Sequence, residues 1–180
     1  VIGGYDYPAN SGIVGMSLVC GNTIVNNHRS SSVQGELVIN YTESTSFRNN
    51  IIYTDSSDYL VVSDAASLFL TLDYNDHYST QTTNFSYHNS SFSSLSGWQA
   101  ACSGELHSIT ADPSFSNLAA TNFHLASGSS CIDAGDTSFM PDVSETDIDT
   151  MARIQNGRID IGADEFGTAV GILAINLSLI

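Results

Sequence analysis

Short apolar runs separated by polar turns recur through the first half of the chain. "GIVGMSLVCGNTIVNN" is followed by "GELVINYTESTSFRNNIIYT" and then by "DYLVVSDAASLFLTLDYNDHY". Val, Ile, Leu and Tyr fill the runs at strand length, and Asn, Ser, Asp and Gly close them. Val14 and Val38 stand 24 residues apart, Val38 and Val61 stand 23 apart, and "NTIVNN" (22–27) matches "NNIIYT" (49–54) at an offset of 27. A period in the low to middle twenties is the mark of a repeat architecture. Asn at a bend tolerates left-handed backbone, and stacked coils would set such side chains above one another as an amide ladder. One coil cannot bury its inner face, whereas a stack can. The pattern therefore predicts an all-β fold, a parallel β-solenoid over residues 1–110 with about four or five coils, each rising about 4.8 Å.

Helical signal is confined to "SLSGWQAACSG" (94–104), with Ser96 as N-cap, Gly104 as stop and Trp98 as apolar anchor. From Ala111 the tandem strands thin out and Asp, Gly and Pro increase. The chain closes on "GILAINLSLI", where Leu173, Ile175, Leu177 and Leu179 alternate with Ala174, Asn176 and Ser178. Residues 111–180 are predicted to be the terminal cap of the same domain. The terminal strand pairs within its own cap or adds to the open solenoid end of a neighbour, which would give head-to-tail self-association.

Charge narrows the partners. Nineteen acids face four arginines (Arg29, Arg48, Arg153 and Arg158) and no lysine, a net charge of -15. Such a surface repels nucleic acid, anionic membranes and acidic glycans unless a divalent cation intervenes. No stretch is apolar for long enough to span a bilayer. A secreted or cell-surface setting fits best, with a polysaccharide or another surface component as partner. The opening "VIGGYDYPANSG" has no leader character, so either a leader has been removed or the chain continues something longer. Cys20, Cys102 and Cys131 show no CxxC spacing for zinc. They read as small buried hydrophobes, with a Cys102–Cys131 bridge as the alternative.

An ordered series of motifs in the second half resembles the C-terminal region of secreted bacterial right-handed parallel β-helix proteins of the pectin-lyase-like superfamily. It runs Asp112, Pro113, Phe115; then Phe123, Leu125, Gly128, Ser129, Ile132, Asp133, Ala134, Gly135; then Asp147, Asp149, Arg153; then Asp160, Ile161, Gly162, Ala163, Glu165. Thr150 stands where that pattern has Gly, and Asp164 where an aromatic is common. The resemblance covers about half the chain. It implies a right-handed parallel β-helix in which Asp133, Gly135, Arg153, Asp160, Gly162 and Glu165 are structural corners of the cap. A corner Asp would accept backbone N–H bonds and a corner Gly would supply positive φ. Arg153 would tie two carboxylates together. The superfamily holds lyases, hydrolases, adhesins and tailspike-like proteins, so the fold alone selects no activity.

For chemistry, "PDVSETDIDT" offers Asp142, Glu145, Asp147 and Asp149 as hard oxygen ligands for calcium, without the spacing of an EF-hand. A lyase would need a basic residue beside calcium. Arg29 and Arg48 are the bases in the coils, and Arg48 reads better as the partner of an acid. A hydrolase would need clustered acids, for which Asp55, Asp58, Asp64, Asp73 and Asp76 are available. The five histidines (His28, His77, His88, His107, His124) have no HxH or HExxH spacing, and His124, between Phe123 and Leu125, is expected to face outward without a catalytic role. No G-x-S-x-G elbow is present. Four N-x-S/T sequons, at Asn40, Asn84, Asn89 and Asn176, are within chance for so Asn- and Ser-rich a chain. The leading expectation is a non-catalytic extracellular module with a structural, adhesive or glycan-contacting role. The rival is a polysaccharide lyase or glycoside hydrolase, or the C-terminal part of one.

Overall fold

The computed structural model describes residues 2–3, 14–27, 35–65 and 67–167. Arg29, His28 and the strand expected over 171–180 lie outside these residues. Within them the fold is all-β apart from one short helix and one 3-10 turn. The strands are β1 (Ile2–Gly3), β2 (Val14–Gly15), β3 (Leu18–Cys20), β4 (Thr23–Val25), β5 (Leu37–Asn40), β6 (Thr42–Glu43), β7 (Thr45–Arg48), β8 (Ile51–Thr54), β9 (Tyr59–Ser63), β10 (Phe69–Asp73), β11 (Asp76–Ser79), β12 (Asn84–Tyr87), β13 (Ser90–Phe92), β14 (Phe115–Asn117) and β15 (Asn122–Leu125). Helix α1 spans Leu95–Cys102.

Strands that follow at one repeat length pair in parallel. One sheet runs β1-β5-β9-β12-β13, two others run β3-β7-β10 and β4-β8-β11, and β2 pairs with β6. Among the described residues only β12–β13 and β14–β15 pair antiparallel as strands, and no sheet closes on itself. The sequence alignments of the repeats prove out of step, two of them by one residue and the third by four. Val38 pairs with Val62, not Val61. Thr23 pairs with Ile51, so Asn22 lies against Asn50, not Asn49. Val14 pairs with Thr42 rather than Val38. A one-residue slip would have turned every inward side chain outward.

Alternation in the true register fills two clusters. Leu37 and Ile39 of β5, Phe47 of β7, Ile52 of β8, Leu60 and Val61 of β9, Leu72 of β10, Phe85 of β12 and Trp98 of α1 form the inner core. All three parallel sheets thus turn side chains toward one column. Burial of each large side chain there contributes about 1.5–3 kcal/mol. On the opposite face of β8, Ile51 and Tyr53 enter a second cluster with Leu125, Cys131 and Ile161. Residues 111–167 therefore lie along the outward flank of β4, β8 and β11, where Val25, Tyr53 and Tyr78 meet Phe115, Ile132 and Phe166.

The end of the column beyond β12 is covered by α1. Its N-cap is Ser94, not Ser96: Ser94 has extended backbone, and its hydroxyl accepts from the Gly97 N–H. Ser103, at φ 56°, ends the helix one residue before Gly104. Trp98 is fully buried and stacks on Phe85 at 5.1 Å between ring centroids. All three cysteines are free, so the Cys102–Cys131 alternative is not formed; Cys131 is fully buried and the other two are half-buried.

Candidate functional site

The corners between the second and third parallel sheets share one rule. A residue in left-handed backbone (Gly21 at φ 64°, Asn49 at 56°, Tyr74 at 56°) precedes an Asn (Asn22, Asn50, Asn75) that turns inward to stack. Asn22 donates through its backbone N–H (3.1 Å) and Nδ2 (3.0 Å) to Asn50 Oδ1. Asn50 repeats both bonds to Asn75 Oδ1, each at 3.0 Å. This is the expected amide ladder, and it ends on a carboxylate: Asn75 Nδ2 donates to Glu105 Oε2 at 3.0 Å. Glu105 is fully buried. It also takes the Ser108 hydroxyl, His77 Nε2 at 2.7 Å and Trp98 Nε1 at 3.4 Å. Burial pushes its carboxyl up, but His77 and the three hydrogen bonds from His77, Ser108 and Asn75 outweigh this and hold it below the ordinary glutamate range. His77 Nδ1 has no partner, and the imidazole packs edge-on against Phe85. The group terminates the ladder inside the core.

The six residues expected at cap corners gather in one seam on the flank, and some of them act differently from the expectation. Asp133 itself adopts left-handed backbone, at φ 52°. Its N–H donates to Asp160 Oδ1 at 2.6 Å, and Asp160 Oδ2 takes the Phe166 N–H at 2.6 Å. Asp160 is therefore the accepting corner, while Asp133 Oδ1 is buried without a partner. Gly135 is needed for close approach rather than for positive φ, since a Cβ there would stand 2.7 Å from the Ile159 carbonyl and 2.9 Å from Asn49 Oδ1. Gly162 has positive φ, 112°, and a Cβ would meet Ile51 Cδ1 at 2.6 Å. Arg153 does stand between two carboxylates as expected, and its hydrogen bonds go to two carbonyls, Gly162 O at 2.9 Å and Ala163 O at 3.2 Å. Glu165 lies 3.4 Å away and Glu145 3.8 Å. Arg158 does the same for the other motif, donating to Gly135 O at 2.5 Å and Ala134 O at 2.9 Å. Each of the two Asp-and-Gly turns is thus held by one guanidinium through its carbonyls. Arg48 pairs with an acid as expected, Asp136 at 2.8 Å, although that acid is largely buried.

This seam carries more buried carboxylate than its bases offset. Burial and the Asp160 carboxylate push Glu165 up to about 9, and Arg153 only partly opposes them. Burial also raises Asp160 and Asp164. Asp76, on β11 but facing Cys131 and the Ala111 N–H, is pushed up to about 7, chiefly by burial. The same burial raises the Cys131 thiol far beyond the reactive range.

The four loop acids expected to hold calcium do not converge. Asp147 is buried and spent on backbone, accepting N–H bonds from Asp149, Met151 and Glu165. Glu145 faces Arg153 and the Asp142 N–H. Asp149 alone reaches out, placing Oδ1 3.1 Å from His124 Nε2. His124, Asp149 and Asp164 bring one ligand atom each within 4.8 Å of one another, the one such group among the described residues. His124 and Asp164 were not anticipated as partners. The signals were Asp164 departing from an otherwise matching motif and the Asn122-x-His124 spacing, which puts both side chains on one face of β15.

Two surface grooves lie elsewhere among the described residues. One, of about 390 Å³, is lined by Ser57, Tyr59, Asn84, Ser91, Phe92 and Ser93 beside β9, β12 and β13. Tyr59 Oη and Ser91 Oγ are hydrogen-bonded at 2.7 Å, and Asn84 Nδ2 donates to Ser57 O at 2.9 Å. The other, of about 540 Å³, lies between β4 and the 3-10 turn, lined by Val25, Asn26, Asp55, Leu118, Ala119, Thr121 and Phe123. The acids considered for hydrolysis are dispersed: Asp76 is buried, Asp73 holds His107 Nδ1 at 2.7 Å, and Asp58 takes the Ser56 hydroxyl at 2.6 Å. Among the described residues no helix is long and apolar enough to cross a membrane. No family model, curated protein or solved structure matches the chain.

Proposed function

We propose that the chain is a right-handed parallel β-helix module of the pectin-lyase-like kind, secreted or displayed at a cell surface, which contacts glycans without cleaving them. Parallel pairing at one repeat length and the Asn22–Asn50–Asn75 ladder support the β-helix reading. The groove at Tyr59 carries the functional one. It joins two aromatic rings, a side-chain amide and three serine hydroxyls and has no carboxylate or basic side chain in its lining, the equipment for a neutral sugar. A net charge of -15 favours neutral over acidic glycans. Self-association fits better at the first coil, where Met16 (88 % exposed) and Leu18 (55 %) show apolar surface, than at the α1 end, which Trp98 closes.

Titration of neutral oligosaccharides by calorimetry tests the reading. Binding is expected for at least one, with no release of reducing or unsaturated ends, and Tyr59→Ala is expected to weaken it tenfold or more. Release of such ends would favour the lyase or hydrolase alternative. Binding untouched by Tyr59→Ala would remove the groove from the account.

A further inference from the structure

We propose that His124, Asp149 and Asp164 form a site for a divalent first-row transition ion, with zinc as the probe. Three observations carry it. First, the imidazole is presented with a defined nitrogen. Asn122 Oδ1 accepts the backbone N–H of His124 (3.1 Å), which identifies it as the amide oxygen, and it also lies 2.5 Å from His124 Nδ1. Nδ1 must therefore carry hydrogen, and in the neutral ring the lone pair is on Nε2, the nitrogen that faces the carboxylates. A partner on the far ring nitrogen is how proteins orient metal-binding histidines.

Second, the spacing suits a small ion. Ligand atoms at about 2.0–2.1 Å around a tetrahedral zinc stand roughly 3.3 Å apart. His124 Nε2 and Asp149 Oδ1 already stand 3.1 Å apart, and Asp164 places a carboxylate oxygen within 4.8 Å of both. Third, Asp164 is only 4 % exposed, and its one hydrogen bond is from the Leu125 N–H to Oδ2, at 2.7 Å. Its other oxygen is not enclosed and stays accessible to an ion. A carboxylate drawn this far out of water is stabilised when a cation shares it.

The donor set names the class of ion. One imidazole nitrogen and two carboxylates suit zinc, manganese or cobalt, whereas calcium takes six to eight oxygens. The open side at His124 and Asp149, both partly exposed, leaves room for water ligands. The ion would join β15 to the 147–149 turn and to Ala163–Glu165, three segments far apart in sequence.

Chelator-stripped, dialysed protein is titrated with zinc chloride by calorimetry, and cobalt binding is followed by its visible spectrum. One site per chain is expected, with a cobalt spectrum of mixed nitrogen and oxygen ligation. His124→Gln and Asp149→Asn, both at exposed side chains, should each weaken zinc tenfold or more. Asn122→Ala should weaken it roughly tenfold through loss of ring orientation. His107→Gln, at the exposed histidine paired with Asp73, should leave it unchanged. No zinc binding, zinc binding that survives His124→Gln, or calcium displacing zinc at equal concentration would each overturn the proposal. In the first case the cluster is an ion pair of His124 with Asp149.

Discussion

The parallel column and the flank that covers it are built on opposite electrostatic plans. In the column, neutral amides repeat: Asn22, Asn50 and Asn75 pass the same two hydrogen bonds from one level to the next. Its terminal carboxylate, Glu105, is over-satisfied and its pKa is lowered. On the flank, carboxylates replace amides. Asp147, Asp160, Asp164 and Glu165 each accept backbone N–H bonds, and two arginines hold backbone carbonyls. Glu165, Asp160, Asp164 and the flank-facing Asp76 all have raised pKa values; Asp136, where burial is outweighed by hydrogen bonds from Ser138 and the Arg48 guanidinium, is lowered and is the exception. A lowered carboxyl contributes stability present above its unfolded value and lost as pH falls through its folded value. A raised carboxyl does the reverse, being most favourable in acid and losing its contribution as pH rises through the folded value. The column should therefore weaken in acid, below the ordinary glutamate value of 4.5, through Glu105. The flank should weaken as pH rises, up to about 7 through Asp76 and about 9 through Glu165.

The largest effect that would sharpen this contrast is at Trp98. Trp98→Ala empties the end of the inner core, and a loss of about 3–5 kcal/mol is expected in urea unfolding. Next is Asn50→Ala, which strips partners from Asn22, Asn75 and the Val19 carbonyl. It should cost about 2–4 kcal/mol, as buried polar groups lose their bonds. Asn22→Ala, at the exposed first rung, should cost less than about 1 kcal/mol. Equal losses at the two positions would break the ladder account. On the flank, Gly162→Ala forces a side chain into positive φ against Ile51, and about 1–3 kcal/mol should be lost. Glu165→Gln is the smallest change and the most diagnostic. It should raise the melting temperature at pH 9 by roughly 2–4 °C and leave it little altered at pH 5. A variant that melts lower at pH 9 would show that Arg153 holds an ionised Glu165 and that the flank has the sign of the column.

The contrast also explains what could be read from the sequence. Repeating runs capped by Asn signalled strands and an amide ladder because the same physical requirement recurs at every level. At this corner the register differs by one residue because "NTIVNN" matches "NNIIYT" at Asn49 as well as at Asn50, and only the left-handed corner separates them. On the flank the acids of the motif series were found, but each position is used once, and nothing periodic says whether an Asp donates its N–H or accepts one. Asp160 accepts as expected and Asp133 donates to it instead, for that reason. Arg153 meets two carboxylates as its charge suggests, but nothing in the sequence says that the tight turn at Gly162 also leaves it carbonyls to satisfy. His124 was set aside because alternation marks a face and not what a distant loop brings to it.

Hydrogen exchange read by mass spectrometry, corrected for the intrinsic pH dependence of exchange, tests the two-plan account most directly. The account predicts that between pH 5 and pH 9 peptides from 111–167 lose protection while those covering β7, β8 and β10 keep theirs, and that below pH 4.5 the column loses protection in its turn. Parallel changes in both regions across that range would contradict it.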